Sequence, residues 1–207
     1  MRSAALESEA LAWVTPHRNG RHLVKTRDWV LELHPDADAA LVLAALLHDL
    51  DRTVDPRALD RHVAAWDAPA VVQAHADRAA EVAAGWLRSR GADEELVSAV
   101  AKLIRRHETG DGDDADVLQA ADSLSFLETN PAAVWVREGR ATRAEAERKL
   151  RWMHDRIGLD EARAAAAPLL ERALGELVEA DSVVQDGALA GRLRRQANEG
   201  RAHGNTR

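Results

Sequence analysis

The sequence predicts an all-α protein: a single-domain helical bundle with no significant sheet. Three observations predict it. Strand-forming residues are scarce, with no tyrosine and one phenylalanine in 207 residues, and few alternating β-branched runs. Alanine, leucine, arginine and glutamate dominate, and all favour helix. Apolar residues recur at three- and four-residue spacing, and proline or glycine falls where each such stretch must stop.

The elements follow in order. A first helix is expected over 3–14, ended by Pro16, and a second over 21–33, stopped by Pro35. A third covers 37–50 and contains the longest apolar run, Ala39 to Leu47. Being apolar all round, it belongs at the centre of the bundle. Asp55 followed by Pro56 reads as an N-cap with proline at the first helical position, opening a short helix to Trp66. A fifth helix is expected over 69–90, ended by Gly91, and a sixth over 93–107. The acidic stretch 108–116 reads as a solvated loop. Further helices are expected over 116–127, 131–138, 142–157 and 160–180, the last interrupted by Pro168. From Gln185 the pattern fades, and Arg192, Arg194, Arg195, Arg201 and Arg207 face only Asp186 and Glu199. The expected division is a folded domain over 1–184 and a basic, disordered tail over 185–207. Six tryptophans spread over six elements read as core anchors.

Bulk composition narrows the function. The net charge of −7 disfavours binding to a nucleic-acid duplex. The absence of cysteine removes disulfides, thiolate catalysis and cysteine-ligated zinc. The first twenty residues carry Glu7 and Glu9 and no continuous apolar stretch, so no signal peptide is expected. Nine apolar residues are too few to span a bilayer. The expectation is a cytoplasmic protein without a membrane partner.

The informative residues are polar ones placed where a helix should be dry. His22 begins the face of Leu23, Thr26, Val30 and Leu33. His75 lies within the stripe of Val72, Ala79, Val82 and Trp86. His107 extends the stripe of Leu96, Val100, Leu103 and Ile104. Asp122 aligns with Leu118, Ala121 and Ser125, and the apolar run Ala39–Leu47 ends directly in His48–Asp49. A buried carboxylate costs several kcal/mol unless it is paired or bound to a cation. Four histidines and two aspartates on converging faces point to such a cation. Imidazole and carboxylate donors without thiolate suit a divalent transition metal, with Fe, Mn, Zn and Co not distinguished.

The order His22, His48–Asp49, Asp122 resembles the HD superfamily of metal-dependent phosphohydrolases. "AALLHDLDR" is similar to its His-Asp motif and "LQAADSLSFLE" to its final aspartate segment, and the resemblance covers roughly His22 to Glu128. It implies an HD-type bundle with the metal-site core over about 17–130, and His22, His48, Asp49 and Asp122 as metal ligands. His75 and His107 occupy the intervals where some members place two further histidines that hold a second ion. One or two ions are therefore implied, the alternative being that these histidines bind phosphate or support a single ion. The implied activity is hydrolysis of a nucleotide or other small phosphoester through metal-activated water. Asp49 and Arg52 are then the catalytic candidates, with Arg52, Lys25 and Arg78 binding the phosphorylated substrate. Arg18 and Arg21 are further candidates at the entrance. Arg52 stands where some members carry an acid that helps activate water. Glu108 is a weaker candidate base, since on a continuing helix it would point about 100° away from His107. The alternative implied by the same ligand set is a mixed-valent di-iron oxygenase acting on a small organic substrate.

Overall fold

The computed structural model describes residues 2–54, 67–129 and 132–204, with side chains described to residue 185. The chain is all-α, and no strand occurs among the described residues. The helices are α1 (Arg2–Val14), α2 (Gly20–Leu33), α3 (Ala39–Leu47), α4 (Leu50–Val54), α5 (Pro69–Ser89), α6 (Glu94–Arg106), α7 (Asp113–Thr129), α8 (Ala132–Arg137), α9 (Arg143–Asp155) and α10 (Asp160–Gly204). The helix expected over 55–66, Trp66 included, lies outside the described residues. No described helix is long and apolar enough to cross a membrane.

Two apolar clusters meet at α7. The first is built on α3, whose residues from Ala40 to Leu47 are all buried, and gathers Leu6 and Val14 of α1, Leu23 and Val30 of α2, and the inner faces of α5 and α6. The second packs Leu124 and Leu127 of α7 against α8, α9 and α10, with Leu150, Ile157, Ala166 and Leu177 at its centre. Trp29 and Leu33 touch both clusters. Of the described tryptophans only Trp86 is buried, so the others are edge anchors.

Local chemistry explains where the helices begin. Asp38, Asp93 and Thr142 cap α3, α6 and α9, each side chain accepting a backbone N–H one turn in. At Thr142 the exchange with Glu145 is reciprocal. Helix α7 starts at Asp113, earlier than the sequence reading, because Asp113, Asp114 and Asp116 suit the positive end of a helix. The acidic stretch thus shrinks to a turn through Gly110, Asp111 and Gly112, all at positive φ. Helix α10 continues through Pro168, which is exposed, so the carbonyl it leaves unpaired can be hydrated.

One difference matters for function. The expected helix over 37–50 is broken: α3 stops at Leu47, and α4 starts at Leu50. Asn19 Nδ2 donates to the carbonyl of Asp49 at 3.1 Å, and Thr53 Oγ1 fixes Asn19 at 2.8 Å. Consecutive residues of an unbroken helix diverge by about 100°. His48 keeps helical dihedrals at φ −60° and ψ −29°, so the two side chains still diverge, His48 toward Asp122 and Asp49 toward His75.

Helix α2 begins against the last turn of α1. A Cβ added at Gly20 would lie 2.2 Å from the carbonyl oxygen of Val14 and 2.7 Å from that of Thr15. Neither backbone atom can give way cheaply. Gly20→Ala should therefore lower stability by about 1–3 kcal/mol. Chemical denaturation checks this, and a midpoint equal to the native one would contradict the packing.

Candidate metal centre

Six side chains from five segments meet in the interior. His22 comes from α2, His48 and Asp49 from the turn after α3, His75 from α5, His107 from the turn after α6, and Asp122 from α7. His48 is 0% exposed, His107 1%, His75 3%, Asp49 4% and Asp122 5%, so water does not solvate their charge.

Two groups of donors emerge. In the first, Asp122 Oδ1 lies 3.0 Å from His22 Nε2 and 3.4 Å from His48 Nε2, and the two Nε2 atoms are 3.3 Å apart. In the second, His75 Nε2 lies 2.9 Å from Asp49 Oδ1, and Glu108 Oε1 is 3.5 Å from His107 Nε2 and 3.9 Å from His75 Nε2. Asp49 also groups with His48 and His107, their donor atoms all within 4.8 Å, which places it between the two sets.

The outer nitrogens of the rings are all occupied. His48 Nδ1 lies 2.9 Å from the carbonyl of Ala45, and His107 Nδ1 lies 2.7 Å from that of Ile104. His75 Nδ1 lies 3.1 Å from Asp51 Oδ2. Ser125 Oγ donates to the carbonyl of His22 at 2.8 Å and so accepts from His22 Nδ1 at 2.9 Å. A carbonyl or carboxylate accepts only from N–H, which fixes the proton on Nδ1. In the neutral ring the Nε2 lone pair is then left facing inward. The donor set therefore fits one or two divalent cations: four inward imidazole lone pairs, and two buried aspartates with Glu108 beside them.

The carboxylates are held ionised. Burial works to raise Asp49, but the Arg52 guanidinium leads the groups that outweigh it and keep the carboxyl well below its usual range. Burial likewise opposes Asp122 and Glu108, and the Arg156 guanidinium leads the groups that hold both well below theirs. His48 is pushed up to about 9, because the hydrogen bond and charge of Asp122 outweigh the burial that disfavours the imidazolium. A proton on His48 thus does part of a cation's work in the ion-free protein.

The sequence-selected basic residues fall in different places. Arg52 Nη1 reaches Asp49 Oδ2 at 2.8 Å. Arg78 stands 3.8 Å from Asp51. Lys25 is drawn instead to Glu128, at 2.9 Å, a carboxylate that also accepts from Trp29. Arg18 and Arg21 are exposed.

Five contributors escaped the sequence reading or were misdirected by it. Glu108 does reach the site: His107 keeps helical dihedrals at φ −61° and ψ −25°, and the longer Glu108 side chain spans the divergence to bring Oε1 within 3.5 Å of His107 Nε2. Arg156, just past α9, binds both Asp122 Oδ2 and Glu108 Oε2 through its guanidinium and holds Ser123 Oγ at 2.9 Å. Lys149, one face along α9, lies over the Trp152 ring at 4.2 Å, and Arg156 lies over the same ring at 4.5 Å. The spacing Lys149, Trp152, Arg156 puts all three on one helical face, which is the signal the sequence carried. Asp51 and Ser125, which orient His75 and His22, are the other two.

Compared with known proteins, the chain matches no family model and has no significant match among curated proteins or solved structures.

Two expectations follow. Ser125→Ala removes the acceptor that fixes the His22 tautomer and should weaken ion affinity by about 10–100-fold, read by competition with a chelator; unchanged affinity would contradict the tautomer argument. His48 has a folded-state pKa above its ordinary 6.5, so its protonation stabilises the ion-free protein most below pH 6.5. That contribution is lost as pH rises through about 9. A cation must displace this proton, so apparent ion affinity should rise by up to about tenfold per pH unit from neutrality toward that value. Calorimetry in buffers of different ionisation enthalpy checks the proton release, and a pH-independent affinity would contradict it.

Proposed function

We propose that the chain is an HD-type metal-dependent phosphohydrolase that cleaves a nucleotide or other small phosphoester. The observation that supports this reading is the set of four imidazoles whose Nδ1 protons are all tied off outward, leaving Nε2 facing two buried aspartates. A structural ion would need only one closed set of ligands. Here donors are spread over two adjoining groups with Asp49 between them.

His22, His48 and Asp122 would hold one ion, and His75, His107 and Glu108 a second, with Asp49 shared. Divalent ions there would draw charge from the phosphoryl oxygens and lower the pKa of a coordinated water. The chain's own groups account for the rest. Asp49, kept ionised by Arg52 and His75, can accept a hydrogen bond from the attacking water. Arg52 presents a half-buried guanidinium, 29% exposed, beside that carboxylate. Its fork geometry suits a phosphoryl group. Arg156 and Lys149 add positive charge from the α9 side. Burial, reinforced by Arg156 and Arg52, pushes Lys149 down to about 8, so it stays largely charged at neutral pH. Water oxygen forms the new bond to phosphorus, the P–O ester bond breaks, and the proton given up by the water ends on the departing ester oxygen, while charge growing on the phosphoryl oxygens meets these cations.

The test joins metal analysis of the purified protein to a phosphate-release screen over phosphoesters, run with and without oxygen. The expected result is one or two divalent ions per chain and oxygen-independent release. Asp49→Ala should abolish activity and lower ion occupancy, because Asp49 lies between both donor groups. Activity that survives this substitution places the chemistry elsewhere. Two irons with oxygen uptake and no phosphate release would replace hydrolysis with the oxygenase reading.

A further inference from the structure

The four imidazoles of the centre are anchored unequally. His48 and His107 each face a carbonyl three residues earlier, those of Ala45 and Ile104, and His22 faces the Ser125 hydroxyl. These three partners are neutral. The outer nitrogen of His75 faces a carboxylate instead: Nδ1 lies 3.1 Å from Asp51 Oδ2. A hydrogen bond to an ionised acceptor is about twice as strong as one to a neutral group. It also makes the imidazole a better electron donor at its other nitrogen.

The surroundings of Asp51 give it little else to do. It is 4% exposed and sits on the five-residue helix α4. Its Oδ1 is buried and has no hydrogen-bond partner among the described residues. Arg78 Nε comes no nearer to Oδ2 than 3.8 Å, from a side chain that is 44% exposed. An unpartnered buried carboxylate oxygen costs stability, and a group kept for the fold alone would have both oxygens satisfied. What Asp51 has is position. Asp49 and Asp51, two residues apart, face opposite nitrogens of one ring, with Asp49 Oδ1 2.9 Å from His75 Nε2. One short segment thus supplies both the shared aspartate of the centre and the outer partner of His75.

We propose that Asp51 is a positioning residue for the second ion. It pins His75 and strengthens it as a donor, so that without Asp51 the position of His75, His107 and Glu108 loses its cation while that of His22, His48 and Asp122 keeps one. The assignment rests on the two-ion form of the centre proposed for the hydrolase.

The experiment uses the full chain, stripped with a chelator and titrated with manganese, with bound ion counted by paramagnetic resonance and affinity read by calorimetry. The native protein should take up two ions per chain. Asp51→Ala should weaken one of them by about 10–100-fold and leave the other at its native affinity. Crystals of this variant grown with manganese should keep the anomalous peak at His22, His48 and Asp122 and lose the one at His75 and His107. Asp51→Asn retains an acceptor without the charge and should fall between the native protein and Asp51→Ala. If Asp51→Ala does not fold, Asp51→Asn carries the same comparison. Equal weakening of both ions, as a general disturbance of the fold would produce, overturns the assignment. Native affinity for both ions in Asp51→Ala overturns it too, as does a native protein that binds a single ion. Uptake of no ion removes the metal centre together with the assignment. Binding is read without turnover, so a protein that shows the selective loss but releases no phosphate keeps the role of Asp51 and loses the hydrolase reading.

Discussion

Two aspartates, Asp49 and Asp122, are almost wholly removed from water, at 4% and 5% exposure. Ionised carboxylates in such a place cost several kcal/mol each unless positive charge stands beside them. Most of what surrounds them answers that demand. Arg52 and His75 attend Asp49, while Arg156, His22 and His48 attend Asp122. A packed apolar filling would need no such escort. Retaining two buried carboxylates among four inward imidazole nitrogens makes sense if a divalent cation is the intended counter-charge.

The bundle delivers these groups through helix ends as much as helix faces. His48 and His107 both cap the C-termini of helices, each with Nδ1 against a carbonyl three residues earlier. A helix C-terminus is the negative end of its dipole and favours a nearby cation. Each end also carries a carboxylate next to its histidine, Asp49 after His48 and Glu108 after His107. The long α3 run is what allows this. Its residues from Ala40 to Leu47 are buried and seat the turn after Leu47 at the centre.

Much of this was legible in the sequence, because the 3.6-residue period places His75 among Ala79 and Trp86 and Asp122 among Leu118 and Ala121. The all-α class followed from composition. What stayed hidden depended on helix ends. The apolar pattern continues to Leu50, so nothing local marks the break before His48; Asn19, some thirty residues earlier, helps hold it. Glu108 could not be aimed from helical spacing alone, because its side chain reaches to 3.5 Å from His107 Nε2 although the backbone there stays helical. Arg156 sits on a strongly charged segment where a buried arginine looks like any surface one, although its side chain is 8% exposed. Lys25 illustrates the opposite error: its position one turn after His22 suggested the site, and Glu128 draws it away.

The central claim concerns where a cation sits, and anomalous diffraction from crystals grown with manganese addresses it most directly. The account predicts peaks within coordination distance of His22, His48 and Asp122, of His75 and His107, or of both sets, with Asp49 reaching each. Manganese bound only at surface carboxylates, with the interior empty and the six side chains still in contact with one another, would contradict it.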